Sequence, residues 1–242
     1  MISVITSGKG GAGKSTVSGG LGCALARRDR RVLLVDGDAG LRSLDVMLGI
    51  AGTAVYDMAD VIAGNCSPAD AVYPSPICPN VFVMPAPVSL EQLAQPEEMA
   101  RLCRGLTKYY DEVIIDCPAG IGRGFETAVA GADRAFVVST PDMVCARDAQ
   151  IMARLLRERE IPARLIINRL RTKPIRRGKK PDIDELIDTA SLQLIGVLPE
   201  DEEVAVANAY GKPLPMESVA ARCFANIAAR YLGEDVPLAS LE

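Results

Sequence analysis

The 242-residue sequence predicts one α/β domain built on a doubly wound, mostly parallel sheet with helices on both faces. Three observations predict it. Short apolar runs recur along the chain with helix-compatible stretches between them, the βαβα order that gives a parallel sheet. Several runs are apolar continuously rather than alternately, as strands covered on both faces are. With 49% hydrophobic and 24% charged residues, a chain of this length can fill one large core. No repeat, low-complexity segment or linker divides it, so the domain is expected to span residues 1–242, with a loosely ordered tail from about 233 to 242.

The elements follow in order. Ile2 to Ser7 is β-branched and apolar and reads as a buried strand; from Lys14 the chain is rich in Ala, Leu and Gly and fits a helix. Strands are next expected at Arg31 to Asp36 and Asn80 to Met84, the Pro-rich stretch from Pro68 to Pro87 being a surface excursion. Ser89 stands as a cap ahead of a helix over Glu91 to Cys103. Strands at Glu112 to Asp116 and Ala135 to Thr140, a helix over Arg147 to Glu158 and a strand at Arg164 to Asn168 come next. A helix over Asp182 to Thr189, a strand at Leu194 to Leu198 and a helix over Met216 to Tyr231 complete the series.

Composition narrows the chemistry. There is no histidine, which excludes imidazole acid–base catalysis and imidazole metal ligation. The opening apolar run is broken by Gly8 and Lys9, and no stretch of about eighteen apolar residues occurs, so a cytoplasmic protein without a leader is expected. Seven scattered cysteines without a C-x-x-C pair suit a reducing compartment, with buried thiols acting as small hydrophobes rather than a disulfide framework or zinc ribbon. The net charge of −4 hides a basic segment: Arg169, Arg171, Lys173, Arg176, Arg177, Lys179 and Lys180. With those seven removed, 20 basic residues face 31 acidic ones. Pro174, Gly178 and Pro181 make this segment read as an exposed loop, either simply solvated or facing an anionic membrane surface or nucleic acid.

The strongest chemical signal is Gly8-Lys9-Gly10-Gly11-Ala12-Gly13-Lys14-Ser15-Thr16, a G-x-x-x-x-G-K-[ST] loop between a strand and a helix. Its glycines let successive N–H groups face one anion, and the helix adds the positive end of its dipole. In this motif Lys14 reaches the β- and γ-phosphates and the Ser15 hydroxyl can ligate Mg²⁺. Val113-Ile114-Ile115-Asp116 is an apolar strand ending in an acid, the Walker B pattern. Val32 to Asp36 is a second such strand, and it runs into Gly37-Asp38-Ala39-Gly40. Asp36 and Asp38 either line the same site, with Asp38 best placed to orient water, or cap helices and turns.

Lys9 to Ser15, with its extra lysine, resembles the deviant Walker A motif of the ParA/MinD ATPases. Asp36-Gly-Asp-Ala-Gly-Leu-Arg-Ser-Leu-Asp45 and Asp116-Cys-Pro-Ala-Gly-Ile121 resemble switch I and switch II of that family's septum site-determining branch. Asn168-Arg169 and Pro199-Glu200-Asp201 resemble its two adenine-contacting segments, and the likeness runs from Met1 to about Asp235. The resemblance implies a P-loop ATPase that uses Mg²⁺, hydrolyses ATP to ADP and phosphate slowly without an activating partner, and acts as a switch in division-site placement. It implies a monomer with ADP and a face-to-face homodimer around two ATP molecules, recruiting a MinC-like division inhibitor and answering to a MinE- or DivIVA-like partner. Lys9 would cross to the partner's phosphates, as an arginine finger does in trans. Lys14 would hold the chain's own phosphates, with Gly8, Gly10, Gly11, Ala12, Gly13 and Thr16 completing the loop. Ser15 would hold Mg²⁺ directly, Asp116 through water, and Asp38 would serve the attacking water beside the metal. Before dimerisation Lys9 would pair with Asp148.

Two departures from the family pattern stand out: Ser43 replaces the usual Asn of switch I, and the sequence closes on an acidic stretch with Pro237 in place of a basic amphipathic helix. Either the helix was removed or the protein does not anchor itself; a membrane surface stays possible as a partner, the basic segment giving electrostatic attraction, with peripheral association at the inner face of the cell membrane, and nucleic acid is not expected. The alternative within the family is a ParA-type or flagellar-number-regulating ATPase acting on DNA or polar complexes. An iron–sulfur carrier would need cysteines gathered at a dimer axis, which the spacing lacks, and a non-hydrolytic module would not need the full set of lysines and acids.

Overall fold

The computed structural model describes residues 1–176, 178 and 180–241, with Leu90 described in its backbone alone. Eight strands form one sheet: β1 (Ile2–Thr6), β2 (Val32–Asp36), β3 (Tyr73–Pro74), β4 (Val81–Met84), β5 (Glu112–Asp116), β6 (Arg134–Ser139), β7 (Ala163–Leu170) and β8 (Leu194–Pro199). Their spatial order is β3-β4-β2-β5-β1-β6-β7-β8, parallel throughout except for the β3–β4 pair. The helices are α1 (Lys14–Ala26), α2 (Ser43–Met47), α3 (Met58–Ala63), α4 (Pro96–Leu106) and α5 (Arg123–Val129) in the first half. The second half holds α6 (Met143–Arg157), α7 (Thr172–Arg176), α8 (Ile183–Ala190), α9 (Glu202–Tyr210) and α10 (Val219–Tyr231).

Alternation along the buried strands sends neighbours to opposite faces. Leu33 and Val35 join a core with Met99, Cys103, Phe125 and Met152, while Val32 and Leu34 join Val17, Leu21, Phe224 and Ile227 on the other face. Asp142, Asp182 and Ser218 cap α6, α8 and α10 by accepting from backbone N–H groups of the first turn, which fixes where these helices start. β1 lies between β5 and β6, where the strand order turns back, and the crevice beyond its carboxyl end is where such sheets take ligands. Among the described residues no helix is long and apolar enough to cross a membrane.

The structure differs from the sequence reading at several places. The Pro-rich excursion contributes the edge strand β3, antiparallel to β4, where Pro74 is tolerated because an edge needs fewer ladder donors. The helix expected from Glu91 starts at Pro96, because Gln95 and Glu98 form a capping box there, and Ser89 precedes only a short 3₁₀ turn. The strand expected to stop at Asn168 runs on to Leu170, so Arg169 too belongs to the strand end. The basic segment holds the short helix α7, with Pro174 in the first turn where its missing N–H costs nothing; Arg177 and Lys179 lie outside the described residues. Beyond Gly233 the described chain forms no helix or strand; Arg28 pairs with Glu234, Asn226 Nδ2 donates to Pro237 O at 2.7 Å, and Ala239 and Leu241 pack on the core.

Candidate functional site

The turn from β1 into α1 builds the floor of the site. Gly13 sits at φ 95° as the N-cap of α1, and a Cβ there would fall 2.2 Å from Asn168 Nδ2, so only glycine fits. The same Asn168 amide donates to Ala12 O at 2.9 Å while its Oδ1 accepts from Arg169 N at 3.0 Å. Asn168 thus clasps the glycine loop from a strand two places away in the sheet. Lys14 is 8% exposed and donates to Ser7 Oγ at 3.3 Å, and Ser7 Oγ donates to Lys9 O at 2.8 Å. Asn208 of α9 donates to Thr16 Oγ1 at 3.0 Å.

Acids stand opposite Lys14. Asp36 and Asp116 are register partners at the carboxyl ends of β2 and β5, and both are buried. Burial pushes the Asp36 carboxyl up to about 7, with the neighbouring Asp116 charge adding to the rise. Burial likewise pushes Asp116 up to about 6, against the opposing pull of the Ser15 and Ser18 hydroxyls and Lys14. Ser18 Oγ donates to Asp116 Oδ1 at 2.9 Å. Asp36 accepts from Asp38 N at 2.9 Å and Leu44 N at 3.3 Å, so the buried carboxylate shapes the loop that carries Asp38. Asp38 is half-buried, and burial raises its pKa while Lys14 opposes the rise.

Lys14, Ser15, Asp38 and Asp116 therefore lie together at the carboxyl end of the sheet, Lys14 acting on both acids and Ser15 and Asp38 on Asp116. Two residues missed in the sequence, Ser18 and Asn208, complete the site. Ser18 lies one helical turn past Ser15 on the same face, a spacing that could have revealed it. Asn208 had no such signal, since it meets Thr16 across 192 positions. Asp36, left in the sequence reading between lining the site and shaping a turn, is buried beside Asp116 and holds the loop that carries Asp38.

The expected pairing of Lys9 with Asp148 is not found. Asp148 instead backs onto Gly8, where a Cβ would lie 2.7 Å from the Asp148 Cβ, and the ion pairs among the described residues do not join it to Lys9. Lys9 is exposed, and its charge acts on Asp142 and Cys145 at the start of α6. Arg169 is exposed with φ 58°, Pro199 pairs with Leu170 at the strand end, and Asp201 caps α9 by accepting from Glu203 N at 2.9 Å. Asp201 thereby starts the helix whose Asn208 meets Thr16. Around the mouth Leu41, Val88, Ile121 and Val144 are each more than half exposed, on the loops after β2, β4 and β5 and at the first turn of α6.

The pocket fits a nucleotide with a divalent cation. Two buried carboxyls with raised pKa values face a single buried lysine, a balance that a cation would correct. Mg²⁺ takes few protein ligands and completes its shell from phosphates and water, so Asp116 with the Ser15 hydroxyl beside it could hold one.

Comparison with known proteins agrees. The CobQ/CobB/MinD/ParA nucleotide binding domain matches residues 3–214. The septum site-determining protein MinD of Bacillus subtilis is 43% identical, across 99% of this chain and 91% of the relative. A chain of the MinC:MinD cell division protein complex of Aquifex aeolicus superposes with a TM-score of 0.92 at 32% identity, over 99% of this chain and 98% of that one. The septum site-determining protein MinD of Pyrococcus horikoshii, complexed with Mg-ADP, gives 0.86 at 30% identity over 95% of each chain. The chain belongs to the CobQ/CobB/MinD/ParA nucleotide-binding family and, at this identity along nearly its whole length, to the MinD ATPases within it.

Proposed function

We propose that this ATPase is an ATP-gated dimerising switch in division-site placement, and that its chemistry runs on Lys14, Asp38 and Asp116 with Lys9 supplied from a second copy. The convergence of the first three at the carboxyl end of the sheet, with Lys9 exposed on the same glycine loop, is the observation that carries this reading. The N–H groups from Gly8 to Ser15 hold the phosphates, and Lys14 draws the charge developing on the γ-phosphoryl group. Asp38 accepts a hydrogen bond from the attacking water; its oxygen bonds to the γ-phosphorus as the bond to the β–γ bridging oxygen breaks, leaving ADP and phosphate. Ser15 directly, and Asp116 through water, would hold Mg²⁺, which supplies charge neutralisation when bound. Thr16, Asn168, Arg169, Pro199 and Asp201 border the place where the base would lie.

Lys9 is exposed, and the apolar residues Leu41, Val88, Ile121 and Val144 are exposed on loops after the neighbouring strands and at the start of α6, so a second copy docked face to face would cover them and receive the lysine. The Aquifex aeolicus complex is one of MinC with MinD; by analogy this chain takes a MinC-like division inhibitor on its ATP form, with a MinE- or DivIVA-like partner speeding turnover. We place it in the cytoplasm, meeting the inner membrane peripherally through its basic segment. Size exclusion with ATP and Mg²⁺ tests the switch. The Asp38→Ala variant should release phosphate about 10²–10⁴-fold more slowly and elute as a dimer. Adding Lys9→Ala should return the monomer, and a dimer in the double variant would sink the cross-subunit role. ATP-dependent, salt-sensitive retention on DNA would instead select the ParA-type reading.

A further inference from the structure

Cys23 and Cys78, far apart in sequence, meet in space. On the α1 side of the sheet a cavity of about 50 Å³ is lined by both cysteines together with Arg27, Leu48, Asn208 and Phe224. Cys23 sits on the third turn of α1, whose first turn carries Lys14 and Ser15. Cys78 sits in the loop between β3 and β4, a loop tied to the end of α2, just past the first switch, because Ser75 Oγ donates to Leu48 O at 2.9 Å and Gly49 packs on Pro76. Cys78 is buried in the apolar cluster on this face of the sheet and Cys23 packs against the same cluster. The interaction of the two sulfurs raises the Cys23 pKa and lowers that of Cys78, and the Arg27 charge bears on both. Two thiols lining one small cavity with a cation beside them, one with its pKa lowered, is the arrangement of a nucleophile with its resolving partner.

We propose that Cys23 and Cys78 form a redox-active pair, oxidised by hydroperoxides to a reversible disulfide that ties the phosphate-loop helix to the loop behind switch I. In the first step the Cys78 thiolate attacks a peroxide oxygen. A sulfur–oxygen bond forms, the oxygen–oxygen bond breaks, and the departing hydroxide takes a proton to become water. In the second step Cys23 gives up its proton and attacks the Cys78 sulfur, so that the disulfide forms and the sulfenic oxygen leaves as water. The thiols lose two electrons and the peroxide gains them. Reversal needs only a reducing thiol, as befits a protein without other paired cysteines in a reducing compartment. The other cysteines lack this setting. Cys103 and Cys117 are held by burial at about 12, and slight desolvation with Asp60, Asp70 and Asp57 keeps the Cys66 thiol protonated.

The pair is independent of the dimer reading, because the reaction needs neither nucleotide nor a second copy. The test is to treat the reduced full chain with hydrogen peroxide, block remaining thiols with iodoacetamide and map the peptides by mass. The expected product is a Cys23–Cys78 linked peptide lighter by two hydrogens, restored by dithiothreitol, with Cys66 still alkylated. In Cys23→Ser the oxidation should halt at Cys78 sulfenic acid, captured by dimedone. Recovery of Cys23 and Cys78 both alkylated while Cys66 is oxidised, or a bridge formed between chains rather than within one, overturns the proposal.

Discussion

The two ends of the central strands bury acids in opposite ways. At the amino end Glu112 of β5 accepts from Tyr231 OH at 2.7 Å, Tyr231 OH shares a bond with Ser3 Oγ at 2.9 Å, and Arg134 Nε donates to that same Ser3 Oγ at 3.1 Å. The Arg134 guanidinium lies 3.6 Å from the Tyr231 ring centroid, so the acid, hydroxyls and cation form a closed set. At the carboxyl end Asp36 and Asp116 face each other with their pKa values pushed up to about 7 and about 6, burial being the main cause. A buried charge whose partners are all protein groups is a structural device. A pair of buried acids left under-compensated at a strand end, above a glycine loop, is a site that awaits a cation and a ligand.

The largest effect should come from closing the space at the carboxyl end. Gly13→Ala puts a Cβ where Asn168 Nδ2 stands and asks a non-glycine residue to hold φ 95°. The backbone strain costs about 1–3 kcal/mol, and pushing Asn168 off Ala12 O leaves that carbonyl unpaired for a similar sum. A total of about 2–6 kcal/mol is expected in urea unfolding, with loss of binding of a fluorescent ATP analogue. Adding Asn168→Ala should recover the clash but not the strain, so that the double variant is more stable than Gly13→Ala alone. Strict additivity of the two substitutions would break the idea that Asn168 clasps the loop.

That clasp marks the boundary of what could be read from the sequence. The central strands are continuous β-branched runs, and the glycine loop fixes Lys14 and Ser15 within nine residues, so both are local signals. Asp116 follows from its strand, and Asp38 from its turn. Asn168 was singled out only through family resemblance, and its contact with Ala12 spans 156 positions, which no local pattern encodes. β3 escaped notice because two residues including Pro74 carry no alternation. α9 escaped because Glu202 to Tyr210 has small apolar residues on all sides and buries only Ala207. The Cys23–Cys78 meeting is likewise a product of packing, invisible to cysteine spacing.

A smaller effect should separate the two ends by pH. The native Asp116 carboxyl holds its proton up to about 6, whereas in the unfolded chain it lets go near 3.8. Between these values the native state binds more protons, so its stability is fully present below the lower value and is lost as pH rises through the upper one. From about pH 4.5 to about 7.5 the nucleotide-free protein should lose about 2 kcal/mol from this group, at roughly 1.4 kcal/mol per unit. Asp116→Asn removes the titration, and the Ser15 and Ser18 hydroxyls can turn to suit an amide. Its unfolding free energy should therefore fall less over the same range, as measured by urea titration at each pH; parallel curves for the two proteins would count against an under-compensated acid.

The smallest effect on phosphate release, and the sharpest contrast, belongs to the amino end. Tyr231→Phe keeps the ring that stacks on Phe136 at 5.5 Å and under Arg134, but deletes the hydroxyl that serves Glu112 and Ser3. The bond to a charged acceptor is worth about 1.5–3 kcal/mol, and at roughly 2–4 °C per kcal/mol for a chain of this size the melting midpoint should drop by several degrees. Phosphate release should stay unchanged, because Glu112 begins the strand that Asp116 ends and the β5 pairing with β1 and β2 holds the latter in register from both sides. A variant that melted lower and also hydrolysed ATP more slowly would mean that the two ends are coupled through β5, and that the closed polar set helps position the acid at the far end of its own strand.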